Sequence, residues 1–153
     1  MKEQLINRYK KNIPKELQDT HQWIVYRKIP RTTRDGKVKI SKVPLSALTL
    51  SGKDWNTKDK WTSFEQVLSV LVNSRVDGLA FVLSSDDPFT CIDLDHAIHG
   101  ETLNLQAKAI IETFSDSFME LSQSKQGIHI FCKGHVPNNL NNQLKGVEIY
   151  QEN

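Results

Sequence analysis

The sequence predicts an α/β (α+β) fold with a mixed, mainly antiparallel sheet and two main helices. Three observations carry this. Short β-branched and aromatic runs recur along the chain, among them Trp23-Ile24-Val25-Tyr26 and Val147-Glu148-Ile149-Tyr150. Asp35-Gly36 is a two-residue hairpin signal of the kind that joins antiparallel neighbours. Only two stretches carry a long helical period, so strands outnumber helices and crossovers are few. The 153 residues, 38% hydrophobic and 25% charged, suit one domain over residues 1–153 that buries its own core.

Taken in order, residues 1–20 read as a polar helical lead-in, with Pro14 at the first turn of a short Pro-Lys-Glu-Leu helix. A strand at Trp23–Tyr26 leads to the Asp35-Gly36 turn, and Lys37-Val38-Lys39-Ile40 returns with its apolar side chains at period two. Residues 44–61 have no periodicity, and Pro44, Ser51-Gly52 and Asn56 mark a long surface loop. Thr62-Ser63-Phe64-Glu65 has capping-box form, with Thr62 as N-cap, ahead of Val67, Leu68, Leu71 and Val72. Residues 78–83 and 90–95 read as strands on either side of an Asp86-Asp87-Pro88 turn. Leu103, Ala107, Ile110, Ile111 and Phe114 define the second amphipathic helix. Residues 118–121, 128–132 and 147–150 are short strands.

Charge is unevenly spread. Residues 1–61 hold 15 Lys/Arg and 6 Asp/Glu, whereas residues 62–153 hold 5 and 12. A basic half and an acidic half suggest two tasks, attracting a polyanion and holding cations. No apolar run is long enough to span a membrane, and Met1-Lys2-Glu3-Gln4 opens without an apolar leader. Cys91 and Cys132 lie outside any CxxC pattern, which argues against a disulfide scaffold. These features predict a cytoplasmic protein with no membrane partner.

The acidic half contains the candidate chemistry. Asp93 and Asp95 stand at i and i+2 of an otherwise apolar strand, so both carboxylates leave by one face, roughly 7 Å apart at Cα. Asp is depleted in strands, and two on one face repel unless a cation joins them. A hard divalent ion accepts such a pair and takes waters or substrate phosphates as its other ligands. His129 alternates with Ile128 and Ile130 and therefore faces away from the core; Glu148 does the same between Val147 and Ile149. Each alone would pass as an ordinary amphipathic strand residue. Together they are the parts of a two-metal phosphoryl-transfer site.

In this order the sequence resembles the catalytic core of primase-polymerases of the archaeo-eukaryotic primase superfamily, in the form carried by phages, plasmids and genomic islands. The resemblance runs over about residues 13–150. It rests on Ile13-Pro14-Lys15-Glu16-Leu17, Trp23-Ile24-Val25-Tyr26-Arg27, Lys42-Val43-Pro44, Trp61-Thr62-Ser63-Phe64-Glu65 and Asp77-Gly78-Leu79-Ala80-Phe81-Val82. It continues through Asp86-Asp87-Pro88-Phe89-Thr90-Cys91-Ile92-Asp93-Leu94-Asp95-His96, Glu120-Leu121-Ser122-Gln123-Ser124-Lys125-Gln126-Gly127-Ile128-His129-Ile130 and Gly146-Val147-Glu148-Ile149-Tyr150. It implies an RRM-like core in which Asp93, Asp95 and Glu148 hold Mg²⁺ or Mn²⁺ and His129 meets the phosphates of the incoming nucleotide, with all four as catalytic residues. Lys42 and Arg27 are implied as further nucleotide contacts. Lys37, Lys39, Lys53, Lys58 and Lys60 would track a nucleic-acid backbone.

The implied function is a DNA primase/polymerase-type nucleotidyltransferase in the replication of a mobile genetic element. Its partners would be nucleoside triphosphates, single-stranded or primed DNA, and a helicase or other replication protein. Two departures bear on this. Gln123 and Lys125 stand where relatives commonly have Pro and Gly, and the sequence stops three residues after Tyr150, where relatives usually continue. A C-terminally truncated core with little polymerase activity alone is therefore expected. The alternative reading is an inactive, truncated primase-like protein that binds a protein or nucleic-acid partner as regulator or inhibitor, for example of host defence.

Overall fold

The computed structural model of the chain describes residues 2–142 and 146–152. They divide into two compact units, Met1–Val82 and Leu83–Asn153.

The first unit opens with α1 (Lys2–Asn12) and α2 (Lys15–Gln18), and Pro14 takes the N-cap of α2. The β1 (Trp23–Thr32) and β2 (Val38–Leu45) strands form the hairpin around Asp35-Gly36, but not through a two-residue turn. The Thr33 amide donates to the Lys37 carbonyl and the Gly36 amide to the Thr33 carbonyl, so Arg34, Asp35 and Gly36 make the loop, with Gly36 at φ +79°. α3 (Phe64–Asn73) precedes β3 (Gly78–Phe81), and the sheet order is β2-β1-β3, all antiparallel. Its core gathers Trp23, Ile24, Val25, Phe64, Val67 and Leu68. The Trp23 ring lies 5.0 Å from Phe64 and 5.2 Å from Phe81, and its indole N–H donates to the Leu17 carbonyl. Both strands of the hairpin run further than the alternation suggested, because exposed polar residues are accepted where one edge faces solvent.

α3 begins one residue later than the sequence pattern places it. Thr62 exchanges backbone hydrogen bonds with Trp23, which holds it in an extended bridge. Ser63 becomes the N-cap, its hydroxyl accepting from the Gln66 amide, while the Thr62 hydroxyl donates to the Gln66 side chain. The loop from residue 46 to 61 is tied down by a short 3₁₀ turn, Lys58–Lys60, and by the Trp61 indole donating to the Trp55 carbonyl.

In the second unit, β4 (Phe89–Leu94) is followed by a small hairpin, β5 (Ile98–His99) and β6 (Thr102–Leu103), and then by α4 (Leu105–Thr113). β7 (Phe118–Leu121), β8 (Ile128–Lys133), β9 (Leu140–Asn142) and β10 (Val147–Tyr150) complete a sheet of order β7-β8-β4-β10-β9. Every pairing in it is antiparallel. One face carries Ile92, Leu94, Ile128 and Ile130, and packs with Ala107, Ile110, Ile111 and Phe114 of α4. Leu103 starts no helix. It pairs in β6 and is 40% exposed, and Asn104 caps α4 by accepting from the Ala107 amide.

The observed class is the α+β architecture expected, with antiparallel sheets and few helices. Among the described residues, no helix is long and apolar enough to cross a membrane.

Candidate active site

The apolar face of the second unit fixes what the other face must carry. Because Ile92 and Leu94 point to α4, Cys91 and Asp93 point the opposite way, as do His129, Phe131, Glu148 and Tyr150 on the neighbouring strands. The ladder register then aligns them. Asp93 is directly opposite His129 on one side and Glu148 on the other. His129 is in turn opposite Glu120 on β7, and Glu148 is opposite Asn141 on β9. The result is one polar row, Glu120–His129–Asp93–Glu148–Asn141, that crosses all five strands.

Side-chain geometry follows the row. The His129 imidazole lies between two carboxylates, with Nδ1 3.0 Å from Glu120 Oε1 and Nε2 3.6 Å from Asp93 Oδ1. An N–H at Nδ1 donates to Glu120, which orients the ring so that Nε2 faces the carboxylate row. Asp93 and His129 are each about one-quarter exposed, whereas Glu120 is half exposed. The Tyr150 hydroxyl donates to Glu148 Oε2. That bond pushes the Tyr150 phenol above the ordinary tyrosine range, with burial and the charges of Glu148, Asp93 and Asp95 adding to it. The same phenol therefore senses three carboxylates. One step away on the same face, burial first and then Asp93 and Glu120 push the Cys91 thiol up, which keeps it protonated and inert.

Asp95 stands slightly apart. β4 ends at Leu94, and Asp95 occupies the following turn, exposed, with its amide donating to the Gly146 carbonyl at 2.9 Å. A strand position shared with Asp93 is thus replaced by a turn position that extends the same ladder by one bond. Gly146 makes this possible. Its φ is +63°, and a Cβ there would fall 2.8 Å from the Asp95 carbonyl oxygen. Beyond Tyr150, buried Gln151 accepts from the Val136 amide and donates to the Phe89 carbonyl, anchoring the end of the strand that carries Glu148.

Among the described residues, no three His, Cys, Asp or Glu side chains are gathered closely enough to hold a metal ion by themselves. The convergence of Asp93, Asp95 and Glu148 expected from the sequence is therefore a cross-strand pair, Asp93 and Glu148, with Asp95 beside it past the strand end. The donors are still those a hard ion takes. Mg²⁺ commonly binds through one or two carboxylates and fills its shell with waters and substrate phosphates. Two carboxylates directly opposite in a ladder repel each other, and a divalent cation would remove that cost.

The remaining candidates lie in the first unit. Arg27 Nε donates to the Arg75 carbonyl, and the Lys42 ammonium sits 5.1 Å from the centre of the Tyr26 ring. Lys37 pairs with Asp35 and Lys60 with Asp59. Lys37, Lys39, Lys53 and Lys58 are exposed. Glu120 and Tyr150, which orient His129 and Glu148, lie inside the stretches that carry the resemblance, but nothing in the sequence marks either as a site residue. Both look like ordinary strand residues until the register places them beside the row.

No family model matches the chain. It is 27% identical to the DNA primase-polymerase of Nitratiruptor phage NrS-1 over 142 residues, which covers 85% of this chain and 18% of the phage protein. The chain spans less than a fifth of that relative's length. The similarity extends over most of the chain and supports a relationship to primase-polymerases at the level of the family.

Proposed function

We propose that this chain is a primase-polymerase-like domain of the nucleotidyltransferase type, acting in replication of a mobile genetic element. The observation that carries the reading is the row itself: His129, Asp93 and Glu148 at one register on three adjacent strands, with Asp95 beside it. The sequence similarity to a phage primase-polymerase supports the same reading.

In this proposal Asp93 and Glu148, with Asp95 beside them, would hold Mg²⁺ or Mn²⁺ together with waters and substrate phosphates. The ion supplies charge neutralisation at the phosphates and a lower pKa for the attacking hydroxyl. The protein's own groups do the positioning. Glu120 orients the His129 ring, and Nε2 is directed at the place where a triphosphate would lie along the carboxylates. Tyr150 holds the Oε2 oxygen of Glu148 and so orients that carboxylate. Lys42 and Arg27 are proposed phosphate or template contacts, and the basic residues of the first unit, Lys37, Lys39, Lys53, Lys58 and Lys60 among them, are proposed to meet primed or single-stranded DNA. A helicase or other replication protein is the proposed protein partner.

The test is Mn²⁺-dependent binding of a deoxynucleoside triphosphate, read by calorimetry and by the electron paramagnetic resonance of the ion. Asp93→Ala should weaken it at least tenfold, and His129→Ala should weaken triphosphate binding while leaving Mn²⁺ binding in place. Equal binding by wild type and Asp93→Ala would overturn the assignment. Oligonucleotide binding without any triphosphate binding would favour the regulatory reading.

A further inference from the structure

The β1–β2 hairpin carries a charge arrangement that its fold does not require. β3 pairs with β1 only over Trp23–Tyr26, so beyond Tyr26 the hairpin continues as a two-stranded ribbon. Every residue from 28 to 40 is exposed. Lys28, Arg31, Arg34, Lys37, Lys39 and Lys42 share this ribbon with one acid, Asp35, whose carboxylate is already taken by Thr33 and Lys37.

Lys28 stands directly opposite Lys42, and Arg31 directly opposite Lys39, the two pairs on opposite faces. Like charges directly opposite in a ladder destabilise it, and a two-stranded ribbon has little stability to spare. Charged side chains do guard an exposed edge against pairing with another chain. Guarding needs charge, though, and not a single sign: opposed Lys–Glu pairs would guard the edge and stabilise it as well. Asp77, the acid that reaches this region, accepts from the Lys28 backbone amide at 2.7 Å. Uniform positive sign on both faces of a projecting ribbon fits a polyanion that lies along it.

The ribbon's apolar residues narrow the class. Ile40 is 52% and Val38 70% exposed, and register puts them opposite Pro30 and Thr32 on the face of the Lys28–Lys42 pair. A polyanion that is only charge, such as polyphosphate, has no use for exposed apolar side chains. A nucleic acid with unpaired bases has phosphates for the cations and base faces for Val38 and Ile40. By contrast, the loop holding Lys53, Lys58 and Lys60 also holds Asp54 and Asp59, and Lys60 is paired with Asp59. We propose that the β1–β2 ribbon, with Lys28, Arg31, Lys39 and Lys42 as its principal contacts, is the surface by which this chain holds single-stranded nucleic acid. This rests on the reading above and narrows its nucleic-acid contacts to one hairpin, leaving Lys53, Lys58 and Lys60 at most a minor share.

The experiment is fluorescence anisotropy with a labelled 20-nucleotide DNA strand across a salt series, using the whole chain. Each lost phosphate contact should lower the slope of log affinity against log salt by about 0.7. The variant Lys28→Gln/Arg31→Gln/Lys39→Gln/Lys42→Gln should bind at least tenfold more weakly, with a slope smaller by about 3, and melt no lower than wild type. Lys53→Gln/Lys58→Gln should change affinity by about threefold at most. Binding of the ribbon variant within twofold of wild type, an unchanged slope, or no binding by wild type at low salt would overturn the proposal. So would stronger binding of the duplex, or of polyphosphate, than of the single strand. Asp93→Ala should bind the strand as wild type does, so failure of the catalytic reading remains distinguishable from failure of this one.

Discussion

The ribbon of the first unit and the polar row of the second use the same device with opposite sign and in different surroundings. Each sets like charges directly opposite one another across an antiparallel ladder, Lys28 with Lys42 and Arg31 with Lys39 in one, Asp93 with Glu148 in the other. The ribbon cations are in water, where screening keeps the repulsion small and lets any polyanion relieve it. Asp93 is three-quarters withdrawn from solvent, so its repulsion with Glu148 is screened less. The two surroundings would discriminate between different ligands. Exposed charge selects for a polyelectrolyte and loses its hold with salt. Partly buried carboxylates, one of them held by Tyr150 and the other beside the His129 imidazole, would on the proposed reading favour a small ion of defined charge and ligand number.

The largest effect is expected at Gly146. Its left-handed backbone and its approach to the Asp95 carbonyl mean that a side chain there both strains the chain and pushes Asp95 away from the ladder. Gly146→Ala should cost about 2 kcal/mol, read as a lower urea midpoint, most of it from the left-handed conformation. It should also weaken Mn²⁺ binding by the row. The matching change in the ribbon turn, Gly36→Ala, meets no neighbouring atom, so its cost should be strain alone. Equal loss of Mn²⁺ binding in both variants would remove Asp95 from the account.

A smaller effect sharpens the electrostatic side. The carboxylate of Glu148 holds the Tyr150 hydroxyl in its protonated form. An ultraviolet titration should therefore show one of the three tyrosines ionising above the ordinary value of about 10. Tyr150→Phe should remove that late step. The sign follows from linkage: the folded-state value is raised, so the stabilisation from this bond is fully present below about pH 10 and is lost as pH rises through the raised value. Three tyrosines titrating together in the ordinary range would mean that Glu148 is not where the row needs it.

How much of this could be read from the sequence differs between the two regions for a physical reason. The hairpin at Asp35-Gly36 and the alternation that turns Asp93, His129 and Glu148 away from the apolar face are local patterns, visible in a few residues each. Cross-strand partnership is not local. Glu120 meets His129 across a ladder between β7 and β8, and Lys28 meets Lys42 only once the register is known. Local patterns also misplace ends. Thr62 has the right neighbours for an N-cap, but its bridge to Trp23 delays the helix by one residue. Leu103 fits the helical period of α4 yet belongs to a two-residue strand, and Asp95 fits the strand period of β4 yet follows its end.

On the proposed reading the Asp93–Glu148 pair is a divalent-cation site whose affinity comes from relief of mutual repulsion. Thermal melting with and without Mn²⁺ tests it without any assay of turnover. At about ten times its dissociation constant a ligand adds roughly 1.4 kcal/mol to the folded state, which for a chain of this size is a rise of a few degrees. Wild type should show that rise. Asp93→Asn and Glu148→Gln should not, and in the absence of divalent ions Asp93→Asn should melt at or above the wild-type temperature, since one member of a repelling pair has been neutralised. An Asp93→Asn protein that melts several degrees lower without metal, and rises with Mn²⁺ as far as wild type does, would contradict the account.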